Sequence, residues 1–325
     1  MKSLLALLAL STCLIAKEEK PYQPTAADSQ IVTRLTSFSY NGREVPLKIY
    51  LPPTQQPAPL ILLSHGLGGS REIGTYLGVR WASAGYVVVA MQHIGSDESI
   101  WKDTPALQRK RALKQAASFS TFVDRMKDVP ATLDQLEKWN VSKGHVLEKR
   151  MDMEHIGIAG HSYGAVTTQA LVGQHFGRLG PRYRDERIDA GFAMSPSVPR
   201  KGDAARAYGQ VSVPMLLMTG TKDGNPMNNE PPESRRGVFV ALPKSEPSVA
   251  TKHYELVLKD AEHAAFSDHR TGKAANKNPN HHRVIQLIST AFWDSALKQN
   301  HQASAWLNGR QPKKLLEPGD LWQKK

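Results

Sequence analysis

Between a short apolar run, His155-Ile156-Gly157-Ile158-Ala159, and a stretch of helical pattern over residues 162–174 stand Gly160-His161-Ser162-Tyr163-Gly164. No other feature narrows the fold as far. A serine in a tight turn between strand and helix must take a strained backbone to lift its hydroxyl clear of the sheet. Glycines two positions to either side remove the Cβ atoms that would collide there. The turn therefore asks for a strand before it and a helix after it, the unit of a chain that alternates β and α.

The rest of the chain alternates in the same way. Residues 31–39 and 44–51 are β-rich runs separated by Tyr40-Asn41-Gly42-Arg43, and Asn-Gly is a strong hairpin signal, so the sheet is expected to open antiparallel. Pro52, Pro53, Pro57 and Pro59 enforce a loop. Leu60-Ile61-Leu62-Leu63 and Tyr86-Val87-Val88-Val89-Ala90-Met91 are too short for helices and too apolar for edge strands. Such runs suit a parallel sheet covered on both faces, with a helix over 74–83 between them. Residues 104–138 are basic and largely helical, with Phe119, Phe122, Val123, Met126, Val129, Leu133 and Leu136 near helical spacing despite Pro130. They read as one or two helices, part of which can roof a site. Strands are expected again at 155–159, 190–194, 215–219 and 254–258, with a closing amphipathic helix at 283–297. One catalytic domain over 31–299 accounts for these elements, and the polar stretch 300–325 is expected to run over the surface.

The ends and the charge bear on where such a chain works. Lys2 precedes an apolar run over 4–16, and Lys17-Glu18-Glu19-Lys20 follow abruptly. Residues 1–16 read as a signal peptide and 17–30 as a polar lead-in, which makes the chain exported, periplasmic or secreted. No later segment offers the roughly 18 apolar residues of a transmembrane span. The one cysteine, Cys13, lies inside this leader, so no disulfide can form within the mature chain. Leu10-Ser11-Thr12-Cys13 resembles a bacterial lipoprotein box, a second reading in which Cys13 is lipidated. A net charge of +12 leaves an anionic surface open as a partner. The basic residues are scattered, however, and no nucleic-acid motif accompanies them, so a solvated basic surface is the plainer reading and nucleic acid is not expected.

A serine hydroxyl becomes a nucleophile only beside a histidine, which needs a carboxylate to fix its tautomer and stabilise the imidazolium. In a chain of this order, acid and then histidine follow the serine, each on a loop after a later strand. The strand at 215–219 leads into Gly220-Thr221-Lys222-Asp223, and that at 254–258 into Lys259-Asp260-Ala261-Glu262-His263. Asp223 and His263 fit the order. Asp260 and Asp97 sit on the wrong loops, while His269, His281 and His282 lie further from the strand end and read as surface residues. The oxyanion of such chemistry needs two fixed N–H donors. Tyr163, after the serine, offers one, and Leu67 of Ser64-His65-Gly66-Leu67-Gly68-Gly69 the other. A phosphate-cradling loop would need a following G-K-[ST], which is missing here. The twelve histidines include no H-E-x-x-H, and neither His161 nor the pair His281-His282 has ligand partners at a recognisable spacing, so no metal or other cofactor is expected. Tyr76, Trp81 and Trp101 are aromatic candidates for a pocket wall, packing being the ordinary role for each.

Three segments together carry a resemblance: residues 64–69, then Ala84-Gly85-Tyr86-Val87-Val88-Val89-Ala90-Met91-Gln92-His93, then residues 160–164. The set resembles the platelet-activating factor acetylhydrolase and dienelactone-hydrolase-like branch of the α/β hydrolases, from about residue 60 to 263. The resemblance implies an α/β-hydrolase fold, a mostly parallel sheet with helices on both faces and an antiparallel N-terminal hairpin. It implies a cofactor-free serine esterase working on small or lipid-like esters through an acyl-enzyme, with Ser162, Asp223 and His263 as triad and the Leu67 and Tyr163 amides as oxyanion hole. Dienelactone hydrolases proper carry a cysteine nucleophile where this chain has Ser162, which argues against a lactone substrate. A serine peptidase or amidase would use the same residues, and a binding protein that keeps the fold would be expected to lack one of them. The basic segment 104–114 has no counterpart in the resemblance and is expected to contribute to the substrate pocket.

Overall fold

Asn41 and Gly42 take positive backbone angles, φ 47° and 75°, the turn that Asn-Gly favours because its twist matches that of the flanking strands. It sets β1 (Val32–Tyr40) against β2 (Arg43–Leu51) with Tyr40 opposite Arg43. The computed structural model describes residues 22–26, 30–199, 202–227, 230–244, 253–268 and 278–325. The leader expected over 1–16, Cys13 within it, and His269 lie outside the described residues. After the hairpin come β3 (Ala58–Ser64), α1 (Thr75–Ser83), β4 (Val87–Met91), α2 (Ser99–Lys102), α3 (Ala106–Ala116) and α4 (Phe119–Val141). Then follow β5 (Met151–His161), α5 (Tyr163–Leu171), β6 (Ala190–Met194), α6 (Ala204–Tyr208), β7 (Met215–Lys222), α7 (Gly237–Ala241) and β8 (His253–Glu262). The chain closes with α8 (Pro279–Ala296), α9 (His301–Asn308) and β9 (Leu321–Lys324).

These strands form one sheet in the order β1-β2-β4-β3-β5-β6-β7-β8-β9. Pairing is parallel from β4 through β3, β5, β6 and β7 to β8 and antiparallel at both edges. Because successive side chains of a strand point to opposite faces, β3 and β4 divide their apolar runs between two cores. Leu60, Leu62, Val87 and Val89 pack with Met126, Val129, Leu133 and Leu136 of α4. On the other face Ile61, Leu63, Val88 and Ala90 pack with Trp81 of α1 and with Ile285, Ile288 and Trp293 of α8. Both runs are continuously apolar because neither face meets water.

Three expectations change. Residues 300–325 stay largely exposed but do not merely run over the surface: β9 pairs antiparallel with β8, placing Trp322 opposite Leu256. Trp306, Leu307 and Trp322 are buried in the core on the α8 face, and Trp322 stacks on Tyr254 with ring centroids 5.4 Å apart. A few large aromatics anchor an otherwise polar stretch. His281 is not a surface residue either: it is buried at the start of α8 with Nε2 3.1 Å from the Lys259 carbonyl. His282 is only half-buried and stacks face to face on Tyr76 at 4.0 Å. No helix among the described residues is long and apolar enough to cross a membrane.

Candidate active site

β5 ends at His161 and α5 begins at Tyr163, leaving Ser162 alone in the turn with φ 57° and ψ −112°. That backbone is costly for a residue with a side chain and persists only where its surroundings hold it. Here they do. The Ser162 N–H donates to the Met194 carbonyl at the end of β6, 2.9 Å away. A Cβ on Gly160 would stand 2.2 Å from the Gly164 carbonyl oxygen, and one on Gly164 would stand 1.9 Å from that of Ser64. The glycines thus let the start of α5 close on its own strand and on the loop after β3.

Asp223 and His263 follow the neighbouring parallel strands β7 and β8, so both loops emerge at the same sheet end as Ser162. His263 Nδ1 lies 2.7 Å from Asp223 Oδ1, and His263 Nε2 lies 2.9 Å from Ser162 Oγ. The carboxylate accepts from Nδ1–H, which leaves Nε2 free to accept the serine proton. Asp223 is fully buried, and Thr219 Oγ1 donates to its other oxygen at 2.9 Å. Burial pushes the Asp223 carboxyl up, but the hydrogen bond and charge of His263, with the charge of Arg235, outweigh it and hold the acid below the ordinary carboxylate range.

Arg235 was not legible in the sequence as part of this site. It is 4% exposed, with Nε donating to the Asp223 carbonyl at 3.1 Å and Nη1 to the Ser195 carbonyl at 3.0 Å. It follows a stretch without periodicity, and only the fold brings it under the acid. His161, inside the elbow, packs its ring 4.7 Å from that of His263. Its imidazole is pushed down to about 3 by desolvation and by the neighbouring His263 charge, which leaves it neutral.

Leu67, Ser162 and Tyr163 line one cavity of about 400 Å³ together with Phe119, Phe122, Val166 and Val198. The Tyr163 N–H sits in the first turn of α5, where no helical carbonyl can take it. Leu67 belongs to a loop tied by Gly69 N–H to the Gly66 carbonyl at 3.0 Å and Gly68 N–H to the Ser96 carbonyl at 2.9 Å. Part of the 104–138 region does roof the cavity, through Ala117, Ser118, Phe119 and Phe122. Gln174, another residue absent from the sequence reading, lies in the same wall with its side-chain carbonyl buried and unbonded among the described residues.

The remaining candidates sit elsewhere. Asp97 is buried and holds Gln92 and Ser99 at 2.7 and 2.6 Å, and Asp260 pairs with Lys222 at 2.8 Å. Trp81 is core, while Trp101 donates to the Gly68 carbonyl at 2.6 Å and so braces the Leu67 loop. Among the described residues no three His, Cys, Asp or Glu side chains gather as a metal site would require.

A mostly parallel sheet with helices on both faces, an antiparallel hairpin at its start and a strained serine between β5 and α5 define an α/β-hydrolase fold. Within that class, a sequence model of the family "Platelet-activating factor acetylhydrolase, isoform II" matches residues 25–118, a stretch that contains Leu67 and ends before Ser162. The chain is similar to platelet-activating factor acetylhydrolase of Cavia porcellus, 28% identical over 203 residues, covering 53% of this chain and 43% of that protein. It is similar to the Bos taurus protein of the same name, 26% identical over 206 residues, covering 54% and 43%. For the Canis lupus familiaris protein the figures are 23% over 230 residues, 61% and 48%. The chain thus spans about half the length of these relatives or less. These similarities fall on the branch that the three motifs resemble.

Proposed function

We propose that the chain is a serine hydrolase that cleaves carboxylic esters through an acyl-enzyme. The observation that carries this reading is the unbroken contact from Asp223 through His263 to Ser162, 2.7 and 2.9 Å, at the wall of the cavity. Ser162 Oγ attacks the ester carbonyl while His263 Nε2 takes its proton. The tetrahedral oxyanion rests on the Leu67 and Tyr163 N–H groups, and His263 then hands the proton to the leaving alcohol. Water, deprotonated by the same imidazole, releases the acid. The relatives' name, platelet-activating factor acetylhydrolase, is that of enzymes removing an acetyl group. A cavity of about 400 Å³ walled by Phe119, Phe122, Val166 and Val198 suits a small or lipid-like ester.

The surface beside the cavity supports an anionic interface as the place where such a substrate is met. α3 buries none of its residues and carries Arg109, Lys110, Arg111 and Lys114 without an acid, and its Leu107 is 99% exposed. The apolar leader over 1–16 supports export of the chain.

The test is hydrolysis of p-nitrophenyl acetate, butyrate and octanoate by the mature protein beside Ser162→Ala, both checked for folding. Turnover by wild type alone is expected, with the chain-length profile defining the acyl pocket. A folded wild type that is inert on all three esters and cleaves an anilide instead would replace the esterase with an amidase.

A further inference from the structure

Arg125 of α4 is 0% exposed, among the largest side chains to be fully buried. The chemistry above does not use it. Its guanidinium reaches the segment that carries the Leu67 amide: Nη1 donates to the His65 carbonyl at 2.7 Å and to Ser64 Oγ at 3.3 Å. Nε donates to Ser96 Oγ at 2.8 Å, and the Ser96 carbonyl in turn accepts the Gly68 N–H. The central carbon of the same group lies 4.4 Å from the ring centre and over the ring of Tyr163, the residue whose amide is the other oxyanion donor. One planar side chain thus touches the backbone two residues before Leu67, the residue that clamps the one after it, and Tyr163 itself.

The surroundings leave this clamp no slack. His65 Nδ1 donates to the Gly66 carbonyl at 2.6 Å, and His65 Nε2 accepts the His93 N–H at 3.0 Å. His65 is therefore neutral with its proton on Nδ1. Ser64 Oγ also meets His93 Nε2 at 3.0 Å, and His93 Nδ1 meets Asp128 at 2.8 Å. Asp128 accepts as well from Tyr40 at 2.6 Å and from Arg43 at 2.7 Å. The chain of partners fixes Arg125 from behind, and a fork with this many donors is a job that lysine cannot copy.

We infer that Arg125 is the positioning residue of the oxyanion hole, setting the distance between the Leu67 and Tyr163 amides through the His65 carbonyl, Ser96 and the Tyr163 ring. The inference rests on the esterase reading above. Substrate in its ground state gains little from that spacing, whereas the tetrahedral oxyanion gains most, so the loss on substitution falls on kcat.

The experiment compares wild type with Arg125→Lys and Ser96→Ala, each shown to be folded by circular dichroism and fully titratable at Ser162 by a p-nitrophenyl phosphonate. Three quantities are read: kcat and KM for p-nitrophenyl butyrate, Ki for a trifluoromethyl ketone that forms an oxyanion on Ser162, and Ki for the matching ether, which cannot. Arg125→Lys is expected to lower kcat by about 10²-fold with KM nearly unchanged, since a small misplacement of a preorganised group costs about that much. The ketone should weaken in parallel and the ether should bind as before. Unchanged kcat and ketone affinity overturn the inference, and so does equal weakening of ketone and ether, which marks mere support of the pocket. Should Arg125→Lys fail to fold, Ser96→Ala decides by the same readings, a several-fold loss confined to kcat and the ketone being expected and no change overturning it. The esterase reading fails differently, through an inert wild type or an active Ser162→Ala.

Discussion

The cavity has two unlike walls. On one side, the loop after β3, the loop after β4 and α4 are tied together by Arg125, His65, His93 and Asp128, all buried. On the other, the first residue of α4, Phe119, lines the cavity while 75% exposed, and α3, which precedes it and lies outside the lining, buries nothing, with Leu107 99% exposed. On the proposed chemistry, the difference follows from what each wall would do. Donors that meet an oxyanion must be fixed before the reaction, and a satisfied buried polar network fixes them at the cost of any play. A surface that meets varied apolar groups needs no such order, and few buried contacts hold it.

The comparison is broken most sharply at the elbow. Gly164→Ala drives a Cβ to 1.9 Å from a backbone oxygen of the fixed wall, so esterase activity should fall by at least about 100-fold in protein that still shows sheet and helix by circular dichroism. Asp128→Ala should cost about 3–5 kcal/mol in urea unfolding, because it strips a buried carboxylate from His93 and Arg43. A loss under about 1 kcal/mol would mean that the network is ornamental.

Acid should act on the fixed wall and on the start of β8, where His253 is buried beside Lys325. Burial, with the Arg125 charge, holds His65 well below 6.5 and His93 at about 4, and burial with Lys325 holds His253 at about 4. The unfolded chain therefore takes up these protons first. Stability is full above pH 6.5 and should decline as pH falls from 6.5 toward 4, by roughly 1.4 kcal/mol per pH unit for each proton taken up. Urea midpoints that stay level between pH 7 and 5 would contradict it. Smallest of all, Leu107→Ser and the pair Lys110→Ala, Arg111→Ala should shift stability by no more than about 0.5 kcal/mol and leave kcat on soluble esters alone. Their effect should appear in sedimentation with vesicles containing phosphatidylglycerol, where wild type pellets and the pair does not.

What could be read from sequence divides along similar lines. The buried strands β3 and β4 announce themselves by continuous apolar runs, and Gly160 and Gly164 by the clash that any side chain would cause. Asp223 and His263 could be named from their order after strands, and the fold brings them to Ser162. Arg125 and Arg235 could not, since each donates to carbonyls of distant loops and neither lies in a motif. β9 escaped for another reason. In Leu321-Trp322-Gln323-Lys324 only Trp322 is buried, and four residues give periodicity too little length to show.

That short strand has a consequence for solubility. β8 is ten residues long and leads straight to His263, and without β9 its backbone N–H and C=O groups would form an open template on which another chain could pair. β9 closes that template with an edge of its own only four residues long and ending in Lys324, a poor seat for a further strand. Removal of residues 321–325 should therefore show itself first as association between molecules, before any change at the serine.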